Sequence, residues 1–210
     1  MHLVFAVRAA LVAISLAGGA SLFEAPAVAQ EDGKKAVATF AGGCFWSIEK
    51  AFDDKPGVIS AVSGFMGGTA KNPTYAEVVG GGTGHLESVQ VTYDPTKIAY
   101  EKLLDIFWHD IDPTDPAGQF CDYGSQYQTA VFAHDPLQKT AAEASKEAIA
   151  KELNKPVATE IRDASDFTAA GPEHQDFAKK SPAHYNSYLI GCRRDARLKA
   201  VWGDKAHAKI

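Results

Sequence analysis

Cys44 stands directly after Gly42-Gly43 and directly before Phe45-Trp46. The segment that follows, Ser47-Ile48-Glu49-Lys50-Ala51-Phe52, reads as a helix, which places the thiol at or near a helix N-terminus. Unpaired backbone N–H groups at such an end favour negative charge. A thiol there is expected to lose its proton more easily, and the thiolate is the reactive form. The competing reading is a small core residue, because cysteine is often fully buried.

A second chemical group lies on the stretch from His85 to Tyr93, the clearest strand in the chain. Side chains two apart share a face, so Glu87 lines up with Val89, Val91 and Tyr93, opposite Ser88, Gln90 and Thr92. A carboxylate at the head of an apolar row resists ionisation if the row faces the core, and a neutral acid can donate a proton near neutral pH. If Glu87 lies beyond the core edge, it is simply solvated. Asp122 and Tyr127 fall in or just after a long loop, and Tyr75 opens a short helix after Asn72-Pro73-Thr74. Buried tyrosine hydroxyls need partners and can hold a ligand oxygen, although tyrosines are also ordinary core and rim residues.

Other chemistries fit less well. There is no C-x-x-C or H-E-x-x-H, and His85-x-Glu87 lacks the P-C-x-x-C half of a zinc deaminase, so no metal is expected. Gly80-Gly81-Gly82-Thr83-Gly84 lacks the Lys-Ser/Thr of a phosphate loop and precedes a strand rather than a helix. The rival enzyme is a papain-like cysteine hydrolase using Cys44 with His174 or His184. That motif carries a further cysteine before the nucleophile, absent here, and such an enzyme has no use for the two other thiols.

The elements that must position these groups alternate between strands and helices. Strands are expected over 36–41, 58–65, 85–93, 127–134 and 157–162, and helices over 44–54, 74–79, 100–108 and 137–153. Leu137, Ala141, Ala144 and Ala148 form the apolar stripe of the last of these helices. A short helix follows Pro172, and the tail from Tyr185 carries no clear signal. Residues 110–125, rich in Asp, Pro and Gly, read as one long loop of the kind that usually serves function. Tight returns mixed with helical crossovers predict an α+β domain, a mixed sheet with packed helices.

Residues 1–29 read as an export signal: Arg8, an apolar run from Ala9 to Ala20, and Ala27-Val28-Ala29 as the cleavage site. Cleavage leaves residues 30–210 as a single domain, periplasmic or secreted, without stable membrane association. The net charge of −5 and the lack of a dense Lys/Arg stripe argue against nucleic acid. The chain has three cysteines, Cys44, Cys121 and Cys192, and an odd number cannot all pair. At least one thiol therefore stays free or cycles, which points to redox chemistry.

The pieces Gly43-Cys44-Phe45-Trp46, Asn72-Pro73-Thr74-Tyr75, Thr83-Gly84-His85-Leu86-Glu87, Tyr93-Asp94-Pro95, Asp112-Pro113-Thr114 and Asp122-Tyr123-Gly124-Ser125-Gln126-Tyr127 occur in this order. From about Ala36 to at least Lys180 the chain resembles the peptide methionine sulfoxide reductase A family, and the resemblance decides against the hydrolase. It implies a two-layer ferredoxin-like sandwich; a monomer is expected. It implies Cys44 as the nucleophile and Glu87 as the acid that protonates the sulfoxide oxygen. Tyr75 and Tyr127 match the tyrosines that bond that oxygen, Asp122 a carboxylate lining the pocket, and Phe45 and Trp46 its aromatic floor. The implied substrates are oxidised proteins and free methionine S-sulfoxide. Cys44 becomes a sulfenic acid, a second thiol forms a disulfide with it, and a thioredoxin-like or other dithiol reductant reopens that bond. No bound cofactor is implied.

The chain departs from the family pattern at Ser47, where glycine is usual, at Phe65, where tyrosine is common, and at Cys121, where many members have Asn. The ending Gly191-Cys192-Arg193-Arg194-Asp195-Ala196-Arg197-Leu198 replaces the glycine-rich, cysteine-bearing tail of well-known members. Both Cys121 and Cys192 are candidate resolving cysteines, with Cys192 preferred as the first. In a third scheme the two pair with each other once Cys44 has been recycled.

Overall fold

The computed structural model describes residues 35–207. The expected export signal lies outside them. Four strands build the centre of the sheet: β1 (Ala36–Gly42), β2 (Val58–Met66), β3 (Leu86–Tyr93) and β6 (Thr129–Ala133). Helix α1 (Phe45–Phe52) joins β1 to β2, and α3 (Tyr100–His109) lies between β3 and β6. Their spatial order is β6-β1-β3-β2 with every neighbour antiparallel. This is the β-α-β-β-α-β ferredoxin-like arrangement. β7 (Glu160–Asp163) extends the sheet parallel to β6, after the crossover helix α4 (Pro136–Leu153). β8 (Thr168–Ala169) pairs antiparallel with β2 at the other edge.

The alternation along β1 and β3 explains the layers. Ala38 and Phe40 of β1 and Val89, Val91 and Tyr93 of β3 join the main core with Ile48 and Phe52 of α1 and Leu103, Leu104 and Phe107 of α3. Phe40 stacks between Phe52 and Phe107, with ring centroids 5.0 and 5.1 Å apart. Each such ring contributes about 1.5–3 kcal/mol of burial. A smaller cluster of Ala41, Met66, Leu86, Ala130 and Phe132 lies apart from it.

Three expectations need correction. The strand expected from Tyr127 begins at Thr129, because Ser125–Tyr127 forms a 3-10 turn. The stripe expected on α4 is displaced: Leu137 is 83% exposed, while Gln138, Ala142 and Ile149 are buried. Gln138 can occupy a core-facing position because its amide donates to Val37 O at 2.7 Å and accepts from the His134 N–H at 3.1 Å. The tail forms two helices, α6 (Pro182–Gly191) and α7 (Arg194–Trp202), preceded by the short α5 (Phe177–Lys180).

The long loop contains a small hairpin, β4 (Gly118–Gln119) paired with β5 (Asp122–Tyr123). Gln119 organises the loop from inside. Its amide accepts from the Asp112 N–H and donates to Asp112 O and Gly118 O, each at 2.8 Å. Asp112 accepts from the Thr114 N–H and binds Arg197 of α7, which fastens the tail to the loop.

Candidate active site

Cys44 is the N-cap residue of α1 and is 7% exposed. The two glycines before it are required by space and by backbone. A Cβ on Gly42 would lie 2.4 Å from Ile48 Cδ1. Gly43 has φ +78°, and a Cβ there would meet Gln119 Cβ at 2.5 Å. The turn into α1 therefore runs hard against the loop that carries Cys121 and Asp122.

Glu87 enters the same space from β3 and is 2% exposed, so the reading of a core-facing carboxylate holds. Its Oε2 accepts the Phe45 N–H, the first residue of α1, at 3.0 Å. Burial, opposed by the Phe45 N–H and aided by the neighbouring Asp122 carboxylate, pushes the Glu87 carboxyl up to about 8. At neutral pH it is mostly protonated and able to donate.

The expectation for Cys44 is corrected. Burial pushes its thiol well above the ordinary range, and the charges of Glu87 and Asp122 act in the same direction. The Trp46 N–H and the Tyr188 hydroxyl oppose this without prevailing. The physical reason is burial, which the one Trp46 N–H that the helix end offers cannot offset, the Phe45 N–H being committed to Glu87. The resting thiol is therefore held in its protonated form.

A hydroxyl and a carboxyl adjoin the thiol. The Tyr188 hydroxyl faces the Cys44 thiol and donates to Asp122 Oδ2 at 2.5 Å. Burial raises the Asp122 carboxyl, while Tyr188 and Arg194 hold it back. Tyr75 is pushed up to about 12 and Tyr127 higher still, both chiefly by burial and then by the Glu87 charge, so both hydroxyls stay protonated donors.

Aromatic rings close the space around these polar groups. Phe45 is buried, with Tyr75, Phe65 and His174 at 6.1, 5.9 and 5.3 Å. Trp46 stacks on Phe177 with centroids 3.7 Å apart and rings within 8° of parallel. Tyr75 enters because Thr74 caps its helix, α2 (Tyr75–Val79), in a reciprocal bond pair with Glu77.

Cys44, Phe45, Trp46, Tyr75, Glu87, Asp122 and Tyr127 lie together here. The sequence reading missed Tyr188, Phe177 and the true part played by His174. His174 Nδ1 accepts the Trp46 indole N–H at 3.3 Å, and its ring lies 4.2 Å from Tyr75. It is thus held as a wall of the pocket rather than as a base for Cys44. His184 is exposed and meets only ring edges. The hydrolase reading is not favoured. His85 is likewise structural: Nδ1 accepts the Gly68 N–H and Nε2 bonds Ala70 O. The spacing of Tyr185 and Tyr188 after Ser181-Pro182 was the available signal for the missing helix.

Cys121 and Cys192 are joined in a disulfide, and Cys44 is free. Exposure rises from buried Cys44 through half-buried Cys192 to exposed Cys121. A groove of about 420 Å³ opens beside the disulfide, lined in part by Phe120, Tyr123, Cys192, Arg193 and Arg197.

Residues 36–206 match the family described as peptide methionine sulfoxide reductase. The peptide methionine sulfoxide reductase MsrA of Bacillus subtilis is 49% identical over 174 residues, covering 82% of this chain and 98% of that protein. Its counterpart from Listeria monocytogenes is 48% identical over 167 residues, covering 79% of this chain and 94% of that protein. Among solved structures, reduced Mxr1 from Saccharomyces cerevisiae superposes with a TM-score of 0.67 at 30% identity, covering 71% of this chain and 87% of its own. Methionine sulfoxide reductase A of Corynebacterium diphtheriae gives a TM-score of 0.64 at 32% identity, covering 70% and 76%.

Proposed function

Because the chain belongs to the peptide methionine sulfoxide reductase family, we propose that it reduces methionine S-sulfoxide, free or in proteins, to methionine, with Cys44 as nucleophile and Glu87 as acid. The observation that carries this reading is a mostly neutral carboxyl bonded to the residue next to a buried free thiol. A sulfoxide oxygen is a poor leaving group until protonated, and Glu87 supplies that proton. Tyr75 and Tyr127 donate to the same oxygen, while the Phe45 and Trp46 rings receive the methyl group.

Sulfur of Cys44 attacks the sulfoxide sulfur as its proton passes by Tyr188 towards Asp122. The sulfoxide oxygen ends on Cys44, so methionine leaves reduced and the enzyme holds a sulfenic acid. Cys192 then attacks the Cys44 sulfur and expels water, forming a Cys44–Cys192 disulfide. Cys121 attacks Cys192 in turn, freeing Cys44 and giving the Cys121–Cys192 pair. The gradient of exposure across the three sulfurs supports this order, as does the position of Cys192 one helical turn beyond Tyr188 on α6.

A dithiol reductant, thioredoxin-like in chemistry, supplies the two electrons and two protons that reopen the pair. The groove lined by Cys192, together with the exposure of its partner Cys121, supports access from outside. No bound cofactor is needed for this cycle. The export signal read in residues 1–29 supports a periplasmic or secreted location.

The test is reduction of a peptide methionine sulfoxide with dithiothreitol as reductant. Wild-type protein should turn over and Cys44→Ser should not. Full activity of Cys44→Ser would overturn the assignment.

A further inference from the structure

Glu49 is a buried acid, 2% exposed, that the chemistry above does not use. It lies on α1 one turn beyond Trp46 and points away from Cys44, towards the segment 170–180. Both its carboxylate oxygens accept the Asp176 N–H at 3.1 Å. Asp176 has φ +52°, a left-handed backbone that is uncommon for a residue other than glycine. The next residue, Phe177, is the ring stacked on Trp46.

The same segment is clasped a second time through Gln175. Its amide accepts the Ser63 N–H at 2.9 Å and donates to Ser63 O at 2.8 Å and Ala170 O at 2.9 Å. Segment 170–180 is thus a strap across α1 and β2 that carries His174 and Phe177 to the aromatic pocket. The Gln175 clasp fixes the strap to the sheet. The Glu49 bond fixes it to α1, the helix that also carries Phe45 and Trp46.

Taking the pocket to be the methyl-binding pocket of the proposed reductase, we propose that Glu49 is a positioning residue. Its carboxylate, acting through the Asp176 N–H, holds the strap so that Phe177 and His174 complete the wall against which the substrate methyl group packs. The strap thereby sets how tightly the sulfoxide is bound, not how fast it reacts.

The surroundings of Glu49 make this hold respond to pH. Burial pushes its carboxyl up to about 7. The Asp176 N–H and the Ser63 hydroxyl oppose that shift, and the charges of Asp53 and Asp176 add to it. Asp53 and Asp176 are themselves bridged by Lys179, at 3.2 and 3.8 Å. The anion is the stronger acceptor for the Asp176 N–H, but the cost of burying it outweighs that gain. Releasing the strap exposes Glu49 and returns its carboxyl towards 4.5, so the held strap favours the protonated acid, and ionisation as pH rises through about 7 loosens the tether. Glu49 borders a shallow cleft with Pro172, Gln175 and Asp176, so protons reach it from solvent.

The experiment measures KM and kcat for a peptide methionine sulfoxide with dithiothreitol, from pH 5.5 to 8.5, in wild type, Glu49→Gln and Glu49→Ala. Hydrogen exchange of residues 170–180 is followed in the same proteins without substrate. In Glu49→Ala, KM should rise about tenfold, the scale of one charge-assisted hydrogen bond, with kcat within about twofold of wild type. Exchange in the strap should speed up by a similar factor. Wild-type KM should climb as pH rises through about 7. Glu49→Gln keeps an acceptor oxygen without the charge, so its KM should be flat over this range and close to that of wild type at low pH. If Glu49→Ala does not fold, the wild-type and Glu49→Gln pH series decide. Unchanged KM and unchanged strap exchange overturn the proposal, as does a loss confined to kcat. Faster strap exchange in a protein with no sulfoxide reduction would leave the tether standing and overturn the reductase reading instead.

Discussion

The Phe45 N–H donates to Glu87 Oε2 at 3.0 Å, so the proposed acid is bonded to the residue that follows the proposed nucleophile. One helix end thus serves both groups. Its first N–H steadies the carboxylate, and burial outweighs that help, leaving Glu87 displaced upward to about 8. Cys44 gains too little from the same end to ionise at rest. The arrangement favours a neutral carboxyl beside a neutral thiol, the pair that the proposed reaction uses to move a proton onto oxygen while sulfur attacks.

This fixes the sign of two pH effects. Glu87 donates only while protonated, so kcat for sulfoxide reduction should fall as pH rises through about 8. Folding favours the protonated form as well. The stability that Glu87 contributes is fully present below its ordinary value of 4.5 and is lost as pH rises through about 8. Glu87→Gln should therefore cut kcat by about a hundredfold or more. It should raise Tm relative to wild type at pH 9 but not at pH 4. A wild-type kcat that is flat from pH 6 to 10 would contradict the assigned role.

Tyr188→Phe removes the hydroxyl that links Cys44 to Asp122. The thiol loses a bond that favours its anion, so alkylation of Cys44 by iodoacetamide at pH 8 should slow. The kcat should drop by about tenfold, with the fold intact because the ring stays in place. Unchanged alkylation and turnover would exclude the Tyr188 route for the proton.

The order of the thiols can be read by trapping. With oxidised substrate and no reductant, Cys121→Ser should accumulate a Cys44–Cys192 disulfide, identified by mass spectrometry. Cys192→Ser should leave Cys44 as a sulfenic acid that reacts with dimedone. A fast, quantitative Cys44–Cys121 link in Cys192→Ser would make Cys121 the first resolver.

Gly43→Ala tests the turn before the nucleophile. The new methyl would sit 2.5 Å from Gln119 Cβ at a backbone φ of +78°. The strain should cost about 2 kcal/mol or more, seen as a Tm lower by about 4–8 °C. Because Gln119 holds the loop that carries Asp122, kcat should fall as well. Wild-type Tm would show that the turn relaxes freely.

Much of this site was legible in the chain. Alternation along β3 aligned Glu87 with an apolar row, which the structure shows to be buried, and the Gly-Gly step marked the turn before Cys44. Helix α4 was found but rotated, because hydropathy cannot tell that Gln138 will satisfy its amide on Val37 and His134 and so sit inward. Helix α6 was not found at all. Only Tyr185 of its ten residues is buried, so it carries almost no apolar stripe to read.

By itself the sequence singled out Cys44 and Glu87 as candidates for chemistry, placed an aromatic pair beside the cysteine, and indicated the α+β architecture. These follow from local rules: side-chain period in a strand, turn chemistry, and the order of motif residues that carries the family resemblance. Only the tertiary structure decided the protonation of Cys44, the bridge from Tyr188 to Asp122, the pairing of Cys121 with Cys192, and the hold of Glu49 on the strap. Each joins residues distant in sequence. Its strength depends on how much water the packed chain excludes and which polar atoms remain to replace it, and neither is encoded in any short stretch of residues.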